Sequence, residues 1–116
     1  MKTKKFDNLG IEPSLLGFGC MRFPLDEDGK INEKEAEKMI DKAIGSGVTY
    51  IDTAFPYHNG DSEPFVGKVL KKYKREDFFL ATKLPIWNVS SKEEAKKVFE
   101  EIKTYNSNVL MIQADI

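Results

Sequence analysis

The stretch VTYIDTAFPYHNGDSEPFVGKVL, residues 48–70, places an apolar run, a polar loop and a helix pattern in direct succession. VTYID (48–52) is short and continuous, with no helical period, which suits a strand buried on both faces of a parallel sheet. It ends on a carboxylate, Asp52, and gives way to a loop holding Phe55, Tyr57, His58 and Gly60. Phe65, Val66, Val69, Leu70 and Tyr73 then recur at helical spacing. They predict a helix over about 63–73, with Ser62 as its cap and Pro64 in its first turn.

The same alternation extends along the chain. Ala36, Met39, Ile40, Ala43 and Ile44 predict a helix over about 33–45, opened by an Asn32/Glu35 capping box and ended by Gly45 or Gly47. Ala95, Val98, Phe99 and Ile102 predict a third over about 91–105, with Ser90 and Glu93 as its box. Three more apolar runs read as strands: LLGFGC (15–20), FFLATK (78–83) and VLMIQA (109–114). The runs start about 30 residues apart, the size of a βαβ unit. KKFDNLGIEP (4–13) predicts an N-terminal hairpin turning at Asn8-Leu9-Gly10. The expectation is therefore a β-α-β-α-β-α-β chain of the α/β class. A closed (β/α)8 barrel needs roughly 200 residues or more, so four strands form a small open sheet or part of a barrel.

With 116 residues the chain is one domain, and 41% hydrophobic with 32% charged residues is a globular composition. The net charge of −1 gives no electrostatic case for nucleic acid or an acidic membrane. No apolar stretch approaches the roughly 20 residues of a membrane helix. The lone cysteine, Cys20, fits a reducing compartment, and the expected location is cytoplasmic. One His and one Cys far apart in sequence predict no metal site. Gly17-Phe18-Gly19 has Arg22 where a dinucleotide fingerprint needs glycine, and Gly67-Lys68 lacks the Walker spacing.

Parallel α/β folds gather their chemistry at the carboxyl ends of strands. Asp52 ends the second predicted strand, Lys83 ends the third, and Tyr57 lies in the loop between. Adjacent parallel strands bring Asp52 and Lys83 within ion-pair reach. A lysine cation favours the phenolate of a nearby tyrosine, and an aspartate holds that lysine charged and in place. Such a tyrosine can protonate an oxygen that is gaining negative charge. On spacing alone the three residues read equally well as a structural ion pair with a packing tyrosine.

At these residues the sequence resembles the aldo-keto reductases. GFGCMR (17–22), YIDTA followed by Tyr57, the DSE that opens the next helix, and ATK (81–83) carry the resemblance, which spans nearly the whole chain. It implies the N-terminal part of a (β/α)8 barrel, residues 1–116 forming about four parallel strands and three helices. It also implies NADPH-dependent reduction of aldehydes and ketones. Tyr57 would be the general acid, Lys83 would tune it, and Asp52 would hold Lys83 on the cofactor side. Gly19, Cys20 and Met21 would lie near NADPH, Phe55 and Trp87 would wall the pocket for the carbonyl substrate, and His58 has no assigned role.

Two features depart from the family pattern. The family's fourth catalytic residue is a histidine ending strand four, where this chain has Gln113. The sequence given stops at Ile116, about half a barrel. The expectation is a truncated reductase, inactive as this chain alone, with most of the NADPH site beyond it. The alternative is a non-catalytic remnant or assembly module of the same family. Exposed sheet edges predict marginal stability or self-association.

Overall fold

The computed structural model describes residues 1–105. These run β1 (Gly17–Gly19), α1 (Glu33–Gly45), β2 (Tyr50–Asp52), α2 (Ser62–Leu70), β3 (Phe79–Ala81) and α3 (Lys92–Tyr105). Short 3-10 turns occupy Tyr57–Gly60, Arg75–Asp77 and Ile86–Asn88. Residues Met1–Leu84 form one compact unit, and a second begins at Pro85. The fourth strand expected at 109–114, Gln113 included, lies outside the described residues.

In the first unit the strands lie side by side in the order β1-β2-β3, all parallel. Three rows cross the sheet: Gly17–Tyr50–Phe79, Phe18–Ile51–Leu80 and Gly19–Asp52–Ala81. Side chains alternate between faces along a strand, so the middle row faces one way and the outer rows the other. Ile51 is fully buried in a core formed with Ala36 and Ile40 of α1 and Phe65, Val66, Val69 and Leu70 of α2. The face bearing Ile51 is therefore the helix-covered one. The opposite face carries Tyr50 and Asp52, and Tyr50 packs so closely over Gly17 that a Cβ there would sit 3.2 Å from its ring.

The strands are shorter than the apolar runs that predict them. Leu15 and Leu16 precede β1 and are 64% and 59% exposed. There the chain bonds to the N-terminal hairpin instead of the ladder, Leu15 N–H donating to the Lys2 carbonyl. That hairpin is present, with Thr3 opposite Ser14 and Phe6 opposite Ile11. A second small hairpin, unforeseen from the sequence, pairs Leu25 with Ile31 between β1 and α1. The Asp26 carboxylate closes it by accepting from the Asp28 and Lys30 amides, both at 2.9 Å.

The helix starts follow local chemistry to different degrees. Asn32 caps α1 as predicted, its side chain accepting from Glu35 N–H at 3.3 Å. On α3 the capping pair is shifted by one residue: Ser91 Oγ accepts from Glu94 N–H, and the Glu94 carboxylate accepts from Ser90. On α2 the prediction fails. Asp61, not Ser62, is the cap residue, and it makes no side-chain cap bond. Ser62 sits inside the helix, fully buried.

A polar clasp joins α1 to the end of α2. Lys72 Nζ donates to Glu37 at 2.6 Å and to Asp41 at 2.7 Å, and the Tyr73 hydroxyl donates to Asp41 at 2.5 Å. Bonds from Lys72 and Tyr73 hold the Asp41 carboxyl below its ordinary value. Burial, and then the Asp41 bond, push the Tyr73 phenol up. A depressed carboxylate contributes stability that is intact at neutral pH and is lost as pH falls through its folded-state pKa. Removing the hydroxyl by Tyr73→Phe is expected to cost about 1 kcal/mol in urea unfolding at neutral pH. The difference should shrink in acid, and an equal loss at acid and neutral pH would contradict the clasp.

Candidate active site

The carboxyl ends of the three strands meet at one level of the sheet. Asp52 stands between Gly19 and Ala81 in the last row, so neither neighbour has bulk to cover its carboxylate. Apart from Gly19 and its two chain neighbours, no residue has a heavy atom within 4 Å of where a Cβ on Gly19 would be, which leaves open space beside Asp52. Past β3 the chain delivers Lys83, whose Nζ donates to Asp52 Oδ1 at 2.6 Å and to the Thr53 carbonyl at 2.9 Å. The expected Asp52–Lys83 ion pair is formed.

Tyr57 joins them. Its amide donates to the Ala54 carbonyl at 3.2 Å, starting the Tyr57–Gly60 turn. The Lys83 ammonium lies 5.3 Å from the centroid of the Tyr57 ring. Partial burial acts to lower the Lys83 pKa, but the Asp52 bond and charge, with Tyr57, outweigh it and hold the ammonium above its ordinary value. The lysine side chain is half exposed, and exposed pairs contribute only about 0–1 kcal/mol to folding. Stability alone is a weak reason to place this pair at a strand end.

His58 has a defined place. Its Nε2 accepts the Phe23 amide at 3.0 Å, and its ring stacks on Phe23 at 5.5 Å. The accepting nitrogen carries no proton, so the ring hydrogen is on Nδ1. This bond ties the segment after β1 to the turn that begins with Tyr57. It comes with strain, because His58 and Asn59 both adopt left-handed backbone, with φ of 52° and 54°.

The remaining candidates divide. Met21 and Phe55 are exposed, at 55% and 50%. Cys20 is fully buried in the core, and its amide donates to the Asp52 carbonyl at 2.8 Å. Burial, and then the charge of Asp52, push its thiol up to about 12 against a smaller opposing effect of Lys83. The thiol is a packing group and a poor nucleophile. Trp87 lies in the second unit, in the Ile86–Asn88 turn, and is 73% exposed.

Sequence reasoning missed the hydroxyls beneath the site. Ser62 Oγ lies 2.9 Å from Thr53 Oγ1 and donates to the Cys20 carbonyl at 3.3 Å, while Thr82 Oγ1 donates to the Glu63 carboxylate. The DSE motif held the signal, but a serine before a helix reads first as a cap. Among the described residues no buried side-chain polar atom lacks a partner and no metal-binding cluster occurs. No described helix is long and apolar enough to cross a membrane. A cleft of about 600 Å³ is lined by Asp26, Lys30, Glu33, Asp61 and Lys68, with Asp52, Tyr57 and Lys83 not among its walls. It is an open trough crossed by the Lys30–Asp61 and Lys68–Glu33 pairs, with none of the chemistry of the strand ends.

Comparison with known proteins places the chain in a family and a fold. The chain is 38% identical over 82 residues to a probable aldo-keto reductase 1 of Glycine max, covering 71% of this chain and 24% of that protein. It is 39% identical over 84 residues to the aldo-keto reductase YhdN of Bacillus subtilis, covering 72% of this chain and 25% of that one. Among solved structures, an aldo-keto reductase of Bacillus halodurans in its holo form superposes with a TM-score of 0.65 at 31% identity, over 90% of this chain and 36% of that one. A thermostable aldo-keto reductase in complex with the inhibitor epalrestat gives 0.67 at 28% identity, over 90% and 38%. The chain thus spans about a quarter of those two curated relatives, and its three-stranded parallel sheet is part of a (β/α)8 barrel. The model of the Aldo/keto reductase family matches residues 15–111, and the chain belongs to that family.

Proposed function

We propose that this chain carries the proton-donating part of a site that reduces aldehydes and ketones with NADPH. The observation behind the reading is the Asp52–Lys83 pair at 2.6 Å with Tyr57 beside the ammonium. Tyr57 donates its phenolic proton to the carbonyl oxygen as negative charge develops there. Lys83 places positive charge next to the phenolate that remains, and Asp52 keeps Lys83 charged and aimed. Phe55, half exposed on the same loop, offers an apolar wall for the carbonyl compound.

The family generally uses NAD(P)H. The open space at Gly19 and the exposed Met21 fit a flat nicotinamide end beside Asp52. NADPH, when bound, supplies the hydride. Cys20 serves this end indirectly, its amide on the Asp52 carbonyl. The experiment is carbonyl-dependent loss of NADPH absorbance with a panel of aldehydes and ketones, alongside calorimetric titration of NADPH. Turnover is expected of a complete barrel carrying this segment rather than of these 116 residues by themselves, and Lys83→Met in it should lower kcat by about 10² or more. Absence of both binding and turnover would overturn the reading.

A further inference from the structure

We propose that the first turn of α2 positions the candidate pair, Ser62 and Glu63 acting through Thr53 and Thr82 on the strand ends that bear Asp52 and Lys83. The inference rests on the proposed reading for its catalytic meaning, though not for its geometry. Thr53 follows Asp52 directly, Thr82 precedes Lys83 directly, and Ser62 and Glu63 are consecutive. One helical turn therefore grips both strand ends one residue away from the groups that matter.

The bonds form a directed chain. A hydroxyl has one proton and a carbonyl only accepts. Ser62 spends its proton on the Cys20 carbonyl, so across the 2.9 Å contact Thr53 must be the donor to Ser62. Cys20 N–H in turn donates to the Asp52 carbonyl at 2.8 Å, and Lys83 donates to the Thr53 carbonyl at 2.9 Å. With the Lys83–Asp52 bond the links close on themselves, passing through Ser62. On the other flank Thr82 donates to Glu63.

Position 61 already holds aspartate, itself a favoured cap residue, in αR backbone. Here the helix has no side-chain cap bond, and its serine is turned into the interior at 0% exposure, beside Thr53 at 2%. The Ser62 hydroxyl is thus committed to the strand ends and not to the helix start. Ser62, Thr53, Glu63 and Thr82 are on this reading positioning residues, since none is proposed to touch substrate or cofactor.

The test reads Lys83 itself. The full chain is labelled with ¹⁵N at the lysine ammonium groups, and Lys83 is assigned by its loss in Lys83→Arg. Its titration and ammonium proton exchange are compared in Ser62→Ala, Thr82→Val and Thr82→Ser, with Glu33→Gln at the remote Lys68 pair as a control. In Ser62→Ala and Thr82→Val the Lys83 pKa should move down toward the ordinary lysine value, and exchange should quicken by about fivefold, the factor expected for one lost hydrogen bond. Thr82→Ser keeps the hydroxyl and should behave as the parent, and Glu33→Gln should leave Lys83 alone. If Ser62→Ala fails to fold, Thr82→Val at its exposed site decides the matter. An unmoved Lys83 in the folded variants, whatever their Tm, overturns the proposal. Absence of carbonyl reduction by a complete barrel carrying this segment, with a responsive Lys83, would instead overturn the reductase reading and leave the positioning role standing.

Discussion

Tyr57→Phe is expected to lower kcat/KM for carbonyl reduction by about 10²–10⁴, the range that a positioned general acid supplies. The substitution is selective. Phenylalanine keeps the aromatic ring that faces the Lys83 ammonium at 5.3 Å, so the cation–π contact and the Asp52–Lys83 pair should survive. The backbone bond from residue 57 to the Ala54 carbonyl does not depend on the hydroxyl. NADPH affinity and Tm should therefore stay close to those of the parent while turnover collapses. Steady-state kinetics with one aldehyde, paired with a calorimetric Kd, makes the check. Undiminished turnover would remove Tyr57 from the role of acid.

The largest effect on folding should come from Ile51→Ala. Ile51 is fully buried at the centre of the middle strand, between Phe18 and Leu80 in its row. Truncating a buried isoleucine to alanine costs about 2–5 kcal/mol, and a small domain has only about 5–15 kcal/mol in total. Most of the stability should go. Ile51→Val, which removes one methylene, should cost about 0.5–1.5 kcal/mol. Urea unfolding of both variants gives the series, and a loss under about 1 kcal/mol for the alanine would show that the core does not centre on β2.

What could be read from sequence follows from which interactions are local. The stripe of Ala36 and Ile40 and the Asn32 cap depend on neighbours within one or two turns, and α1 lies where they predict it. Asp52, Lys83 and Tyr57 were legible because a carboxylate and a cation at successive strand ends are brought together by parallel pairing alone. Strand extent was not legible. An apolar run such as LLGFGC says nothing about where the ladder begins, and the ladder takes only Gly17–Gly19. Ser62 misled for a related reason: the cap reading is local, but its actual partners Thr53 and Cys20 are 9 and 42 residues away. The His58–Phe23 bond likewise spans 35 residues, and no periodic pattern records it.

The burial of Cys20 gives this protein a chemical clock. It is the sole thiol in the chain, fully enclosed in the core and held protonated in the folded state. A thiol-reactive dye should leave it untouched until the strands part and label it promptly once they do. Labelling rate across urea concentrations would then measure opening of the core around β1, without any engineered probe. Prompt labelling in native buffer would show that the core around Cys20 opens far more readily than its packing implies.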